Sequence, residues 1–443
     1  MNFLEFAVWG AYLVSLGIFL FGTEEFHPLR NCIGWFYAVQ GIVSIFMPAI
    51  IGIVADRWVP AQKMLSLCHL IAGIFMMGAG FYAYFSGDSI HFAPLFSLYA
   101  VSVAFFMPTI GLANSVSYNA MERAGMDTVK EFPPIRVFGT VGFIAAMWIT
   151  NFTGFQNNCW QMVFSGALSL VMVFYSLTMP NCPTSKSAES KGLVDALGLR
   201  AFSLFKNKSM AIFFIFSMLL GVSLQITNGF ATTFIKSFAG PDGKGLYSGN
   251  WFAENATFLT SLSQISETLC ILLIPFFLKR FGIKVVMMMA MIAWFLRFGL
   301  FGIGNPGDGL TFLILSMIVY GVAFDFFNVS GSLYVDQKVS PSMRSSAQGL
   351  FMIMTNGIGA TVGTLGAQAV VTRFVSTQAD YTKEQTQGWS YSWLIFAAYA
   401  LVVAILFWFC FRNPDKDKKL AVSNDKLRDI ASKSEDPGGE VVL

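Results

Sequence analysis

Long apolar runs set the rhythm of this chain. Stretches of about twenty mostly apolar residues, the length a helix needs to cross a bilayer, recur near 3–22, 35–55, 63–84, 93–118, 132–152 and 158–179. A polar stretch over 180–208 interrupts them, with Pro180, Pro183, several serines and five basic residues. Six more apolar runs follow near 209–236, 254–278, 284–303, 310–334, 345–370 and 390–411, and a charged tail closes the chain. The pattern predicts an all-α polytopic membrane protein of about twelve spans.

Charge between the runs orients them. With both termini placed inside, the inner connections hold fourteen Lys and Arg, from Arg57 to Arg344, and the tail adds seven. The outer connections hold only Arg30, Lys244, Arg373 and Lys383. That asymmetry satisfies the positive-inside rule and favours an even number of spans. Four parts are expected: a six-helix bundle over 1–179, a cytoplasmic linker over 180–208, a second six-helix bundle over 209–411 and a cytoplasmic tail over 412–443. Faint repetition links the two bundles. Gly52 to Trp58 after the second run parallels Pro275 to Lys284 after the eighth, and Arg136 and Arg344 each have a Phe seven residues on. Two related halves place a solute site at mid-membrane between them.

Composition excludes more than it assigns. Hydrophobic residues make up 55% of the 443 and charged ones only 12%, against about 25% charged in soluble chains. Mean hydropathy is +0.62. A net charge of +3 points to no nucleic-acid partner. The six Cys form no CxxC, metal-ligand or disulfide framework, although Cys32 and Cys159 both fall in expected outer connections. No cleavable signal peptide is expected, because Glu5 stands where a basic region would. There is no Walker A motif, no metal-ligand spacing and no nucleophile elbow, so neither an enzyme nor a direct user of ATP is expected, and no cofactor or metal.

Polar residues within apolar runs are costly and usually face the bundle interior. Those placed deep are Arg136, Glu267, Arg297 and Asp325, with the amides Asn114, Gln225, Asn228, Gln264 and Asn328. Their spacing is that of helix faces. Gln225/Asn228, Gln264/Glu267 and Asp325/Asn328 are each three residues apart, and Arg136, Thr140 and Phe143 follow at four and seven. Four polar stripes suit one polar or heterocyclic solute, yet such amides also serve as glue between membrane helices. A carboxylate buried at mid-membrane has reason to hold a proton, because desolvation disfavours its charged form. Glu267 and Asp325 both qualify. Arg297 suits a structural or snorkelling role as well as a functional one. His27, His69 and His91 read as structural, and most of the Phe and Met as packing or lipid-facing, Phe143 and Phe324 excepted.

The layout and the Gly52…Asp56-Arg57 connection resemble the major facilitator superfamily, although Val59 and Pro60 depart from the signature that follows there. Four strings narrow the resemblance: Glu131 to Phe143, Leu224 to Asn228, Ser263 to Glu267 and Tyr320 to Asn328. Together they resemble the bacterial nucleoside:proton symporter family over all the expected spans. The resemblance implies a nucleoside in a central cavity. Base contacts would come from Arg136, Thr140 and Phe143, with Tyr320 and Phe324 adding aromatic surface. Ribose contacts would come from Gln225, Asn228, Gln264 and Glu267, and Asp325 would be the proton-linked carboxylate, a role Glu267 would share. It also implies a bacterial inner-membrane protein whose partners are nucleoside, protons and membrane lipid; a monomer is expected. Two other readings stay open at this point. One is symport of another polar solute, such as an oligosaccharide. The other is a membrane sensor, disfavoured because a linker of about 29 residues and a tail of about 32 are short for an output domain.

Overall fold

The computed structural model describes residues 1–22, 29–182, 199–240, 244–340 and 343–411. Most of the expected linker, the whole expected tail, His27 and the side chain of Asp56 lie outside the described residues.

Every regular element in these ranges is helical. In chain order the helices are α1 (Asn2–Gly10), α2 (Leu16–Phe21), α3 (Ile33–Arg57), α4 (Ala61–Ser86), α5 (Phe92–Arg123), α6 (Thr128–Phe152) and α7 (Trp160–Leu177). Then come α8 (Lys208–Ser237), α9 (Trp251–Glu254), α10 (Ala256–Ile303), α11 (Leu310–Lys338), α12 (Arg344–Met352), α13 (Ala360–Val371) and α14 (Lys383–Cys410). Ten helical segments among the described residues are long and apolar enough to cross a membrane. The expected twelve requires α10 to count twice and α1 with α2 to count once. The 48-residue α10 is broken at Gly282, whose φ of 77° lies in the left-handed region that glycine enters without a Cβ clash. Lys279, Arg280 and Lys284 cluster around that break, as expected of a short connection at a membrane face. The first apolar run is interrupted after Gly10, so its polar atoms sit on a short helix rather than a continuous span.

Local chemistry starts several helices. The Asn207 side chain accepts from the Ser209 and Met210 amides at the head of α8, and the Thr382 hydroxyl accepts from the Gln385 amide at the head of α14. Between α12 and α13 the backbone widens to i→i+5 bonding over Ile353–Gly359. Such widened turns often mark functional positions.

Large apolar side chains cover the outside. Phe409 is 79% exposed, and Phe174 and Leu272 are 73%. In water such a surface would associate; against lipid tails it is at home. Inside, α1 packs on α6, α4 on α5 and α7, and α10 on α11 and α14. Contacts between the early and late helices run through α3 with α13 and α6 with α10. All six Cys are free thiols.

Candidate functional site

Between the early and late helices lies a cavity of about 610 Å³, within the range of pockets that hold drug-sized solutes. Four helices bring the sequence-derived candidates to its wall. Arg136, Thr140 and Phe143 come from α6, Gln225 and Asn228 from α8, Gln264 and Glu267 from α10, and Tyr320 and Phe324 from α11. All nine line this one space.

The α6 stripe is fixed by its contact with α1. A Cβ on Gly142 would collide with the Phe3 carbonyl, so the two backbones touch there. That approach brings Phe6 under the Arg136 guanidinium, 3.9 Å from ring centroid to carbon. It also sets Trp9 edge-on to Phe143, with centroids 6.2 Å apart at 87°. The opposite wall is aromatic too: Tyr320 and Phe324 lie parallel at 5.8 Å and 6°. Aromatic rings from α1, α6 and α11 therefore line the space, where a planar solute group can pack on them.

Polar atoms fill the remaining wall. Asn228 Nδ2 donates to Gln225 Oε1 at 3.4 Å, a contact along one helix rather than between two. Gln264 Oε1 and Asn114 Oδ1 are buried and have no hydrogen-bond partner among the described residues. The charges of Arg136 and Glu267 are close enough to interact across the early and late helices.

Asp325 differs from the expectation of one shared chamber. It is 4% exposed and lies behind the wall, with Oδ2 unpartnered among the described residues. The reason is helical geometry. Phe324 faces the cavity, so the next residue turns about 100° away, and the lining pair on α11 is Tyr320/Phe324, not Asp325/Asn328. Asp325 still lies near enough to Glu267 for their charges to interact.

Arg297 is 1% exposed and does not snorkel. Its Nη1 donates to the Ser316 carbonyl at 2.6 Å, and its guanidinium sits 4.5 Å from the Tyr320 ring and 5.0 Å from that of Phe301. It backs the aromatic wall from outside the cavity.

Sequence reasoning missed Phe6, Trp9, Gln40 and Asn356, all of which line the cavity. Phe6 and Trp9 are three residues apart, a helix-face spacing, but aromatic residues are too common here for that to stand out. Glu5 and His69, the latter expected to be structural, meet in a buried pair at 2.8 Å.

The two ends of the cavity differ. Toward one end its lining continues along Ser44, Pro48, Gly111, Asn114, Ser346 and Gly349. A Cβ at Gly111 or Gly349 would meet nothing within 4 Å. The other end is crossed by bonds between early and late helices. Arg30 binds Asp380, the Gln368 side chain accepts from the Gly34 amide, and Asn151 donates to Asn255.

A family model described as "Nucleoside H+ symporter" matches residues 1–416. Nucleoside permease NupG of Escherichia coli (strain K12) is 45% identical over 413 residues, covering 93% of this chain and 94% of that one. Xanthosine permease of the same organism is 45% identical over 429 residues, covering 96% and 98%. The crystal structure of nucleoside transporter NupG superposes with a TM-score of 0.81 at 44% identity, covering 93% of this chain and 97% of that one.

Proposed function

The chain belongs to the nucleoside H+ symporter family, membrane transporters of the major facilitator fold and not enzymes, and from that premise we propose that the cavity is where it binds nucleoside for proton-driven import. The observation that carries this reading is the convergence of a guanidinium, five polar side chains and several aromatic rings on one space.

Each group has a task suited to a nucleoside. The Arg136 guanidinium and the Thr140 hydroxyl meet the polar edge of the base, while Phe143, Tyr320 and Phe324 take its faces. Gln225, Asn228, Gln264 and Glu267 meet the ribose hydroxyls, each of which both donates and accepts. Asp325 carries the coupled proton, with Glu267 sharing its charge environment. An unpartnered carboxylate oxygen buried just behind the wall supports that assignment.

Transport follows by rocking of two bundles, residues 1–179 and 209–411, about the site they share. The cavity lining runs toward the end that carries Arg57, Arg123 and Arg344, which the positive-inside rule makes cytoplasmic. On that assignment both termini are cytoplasmic and the structure is an inward-facing state in a bacterial inner membrane. The substrates proposed are purine and pyrimidine nucleosides alike, since stacking tolerates either base. The test is uptake of labelled uridine by the reconstituted chain under an inward proton gradient. Accumulation that a protonophore abolishes is expected; absence of uptake, or uptake indifferent to the protonophore, would refute it.

A further inference from the structure

Behind the α1 wall of the cavity lies a polar cluster that nucleoside binding does not use. Glu5 on α1 and His69 on α4 are both 0% exposed. Glu5 Oε2 lies 2.8 Å from His69 Nε2, and Oε1 accepts from the Thr109 hydroxyl of α5 at 2.6 Å. His69 Nδ1 lies 2.9 Å from the Ser169 hydroxyl of α7. Each hydroxyl has a second acceptor in reach: the His69 carbonyl at 3.0 Å for Ser169, and the Phe106 carbonyl at 2.6 Å for Thr109.

Counting hydrogens shows what this arrangement accommodates. When Ser169 donates to the His69 carbonyl, its lone pair accepts from Nδ1–H. Nε2 and Oε2 then face each other, and one proton must lie between them, because two bare lone pairs at that distance repel. The pair is then neutral, as imidazolium with carboxylate or as imidazole with carboxylic acid. When that proton leaves, the ring's one remaining hydrogen resides on Nε2 and is donated to the carboxylate. Ser169 turns its own hydrogen to Nδ1, and Thr109 directs its hydrogen to Oε1. The pair now carries one negative charge, and its ring nitrogens and carboxylate oxygens remain hydrogen-bonded in both states. A merely structural cluster needs no ionisable groups, which are costly to bury.

Charge on this cluster is felt at the cavity. The Arg136 guanidinium interacts with Glu5 as well as with Glu267. Phe6, the neighbour of Glu5 in the chain, carries that guanidinium on its ring. Among the described residues the charge of Glu5 also reaches the Cys68 thiol on α4 and the Met1 amine beside α1. Helices α5 and α7 face the pair with the hydroxyls of Thr109 and Ser169.

We propose that Glu5 and His69 form a second proton-binding site, separate from Asp325, which takes up a proton when a nucleoside engages Arg136. A base drawing the guanidinium toward itself lowers the positive potential at Glu5, so the neutral, loaded pair is favoured. This rests on the reading of Arg136 as a nucleoside contact, and a uridine binding isotherm on the same samples tests that reading by itself.

The experiment records protons taken up per uridine bound, using a pH indicator and the full-length protein in weakly buffered detergent. Glu5→Gln is expected to bind uridine within about threefold of the unmutated protein and to take up fewer protons, by up to about one per uridine. Asp325→Asn is expected to retain an uptake that the Asp325→Asn/Glu5→Gln double variant lacks. Nitrogen NMR of ¹⁵N-histidine-labelled, unmutated protein gives a second readout. The His69 ring signals should shift on adding uridine, while those of the exposed His91 serve as an internal reference. Uptake unchanged in Glu5→Gln, or His69 signals indifferent to bound uridine, overturns the proposal. Failure of the unmutated protein to bind uridine removes the cavity reading and this one with it.

Discussion

Arg30 and Asp380, 350 positions apart in the chain, are joined by two parallel hydrogen bonds of 2.6 and 2.8 Å, with their side chains only 6% and 7% exposed. Gln385 adds a third donor to the same carboxylate at 2.8 Å. A bidentate guanidinium–carboxylate pair holds both distance and orientation. This one ties the segment between α2 and α3 to the segment before α14, at the end of the cavity away from its open lining.

Breaking that pair leaves one buried charge without its partner, a loss of about 3–5 kcal/mol for the closed arrangement. Asp380→Ala should therefore shift the population toward the state open at this end. Electron–electron resonance between spin labels at Thr153 and Gln387, both exposed there, should show a longer distance component than in the unmutated chain. The exchanged pair Arg30→Asp/Asp380→Arg should recover part of the original distribution. Identical distances in all three proteins would mean that the pair does not hold this end shut.

Gln225 tests whether the amides bind solute or hold helices together. Its side chain bonds Asn228 on its own helix and lines the cavity. Gln225→Ala should weaken uridine binding about tenfold, the loss of one good hydrogen bond, with little change in thermal stability. Calorimetry on purified protein checks both. Unchanged affinity with lowered stability would return the residue to a packing role.

Arg297 should act on the solute through Tyr320. Stacked cations buried out of water contribute about 2 kcal/mol, and the planar guanidinium cannot be replaced by an ammonium of equal charge. Arg297→Lys is expected to weaken uridine affinity about five- to thirtyfold and to lower the unfolding temperature as well, since the bond to the Ser316 carbonyl changes too. Affinity equal to the unmutated protein's would show that Tyr320 needs no support from behind.

The site was legible in the sequence wherever polarity broke an apolar background. Gln225, Gln264, Glu267 and Arg136 stand out because lipid-spanning helices have few reasons to carry them, and helical spacing says which pairs share a face. Phe6 and Trp9 were illegible for the opposite reason: among 47 Phe and 10 Trp, two aromatic residues carry no signal. Glu5 and His69 stayed hidden because their meaning is their contact, and 64 residues of chain separate them. Asp325 was found, but its direction was not. A single-residue step around α11 decides between facing the solute and backing the wall, and packing against neighbouring helices sets that rotation. The break at Gly282 was legible as a cluster of basic residues between two apolar runs; the interruption of the first run after Gly10 had no such mark.

Asp325, the proposed proton carrier, allows a test that separates coupling from binding, because it lies behind the wall rather than in it. Asp325→Asn removes the exchangeable proton but keeps the shape and a hydrogen-bonding head. Uridine affinity should therefore stay within about threefold, the scale of a side chain that does not touch the ligand. Exchange of labelled for unlabelled uridine across a proteoliposome membrane should continue, since it needs only the loaded carrier to change sides. Accumulation against a gradient should fall to at most what the Glu5–His69 pair alone can drive, because an imposed proton gradient does work only through a group that binds protons differently in the two orientations. The three readouts discriminate sharply. Loss of binding would make Asp325 a solute contact after all, loss of exchange would make it part of the moving machinery, and undiminished accumulation would transfer the coupling role to Glu267 or to the Glu5–His69 pair.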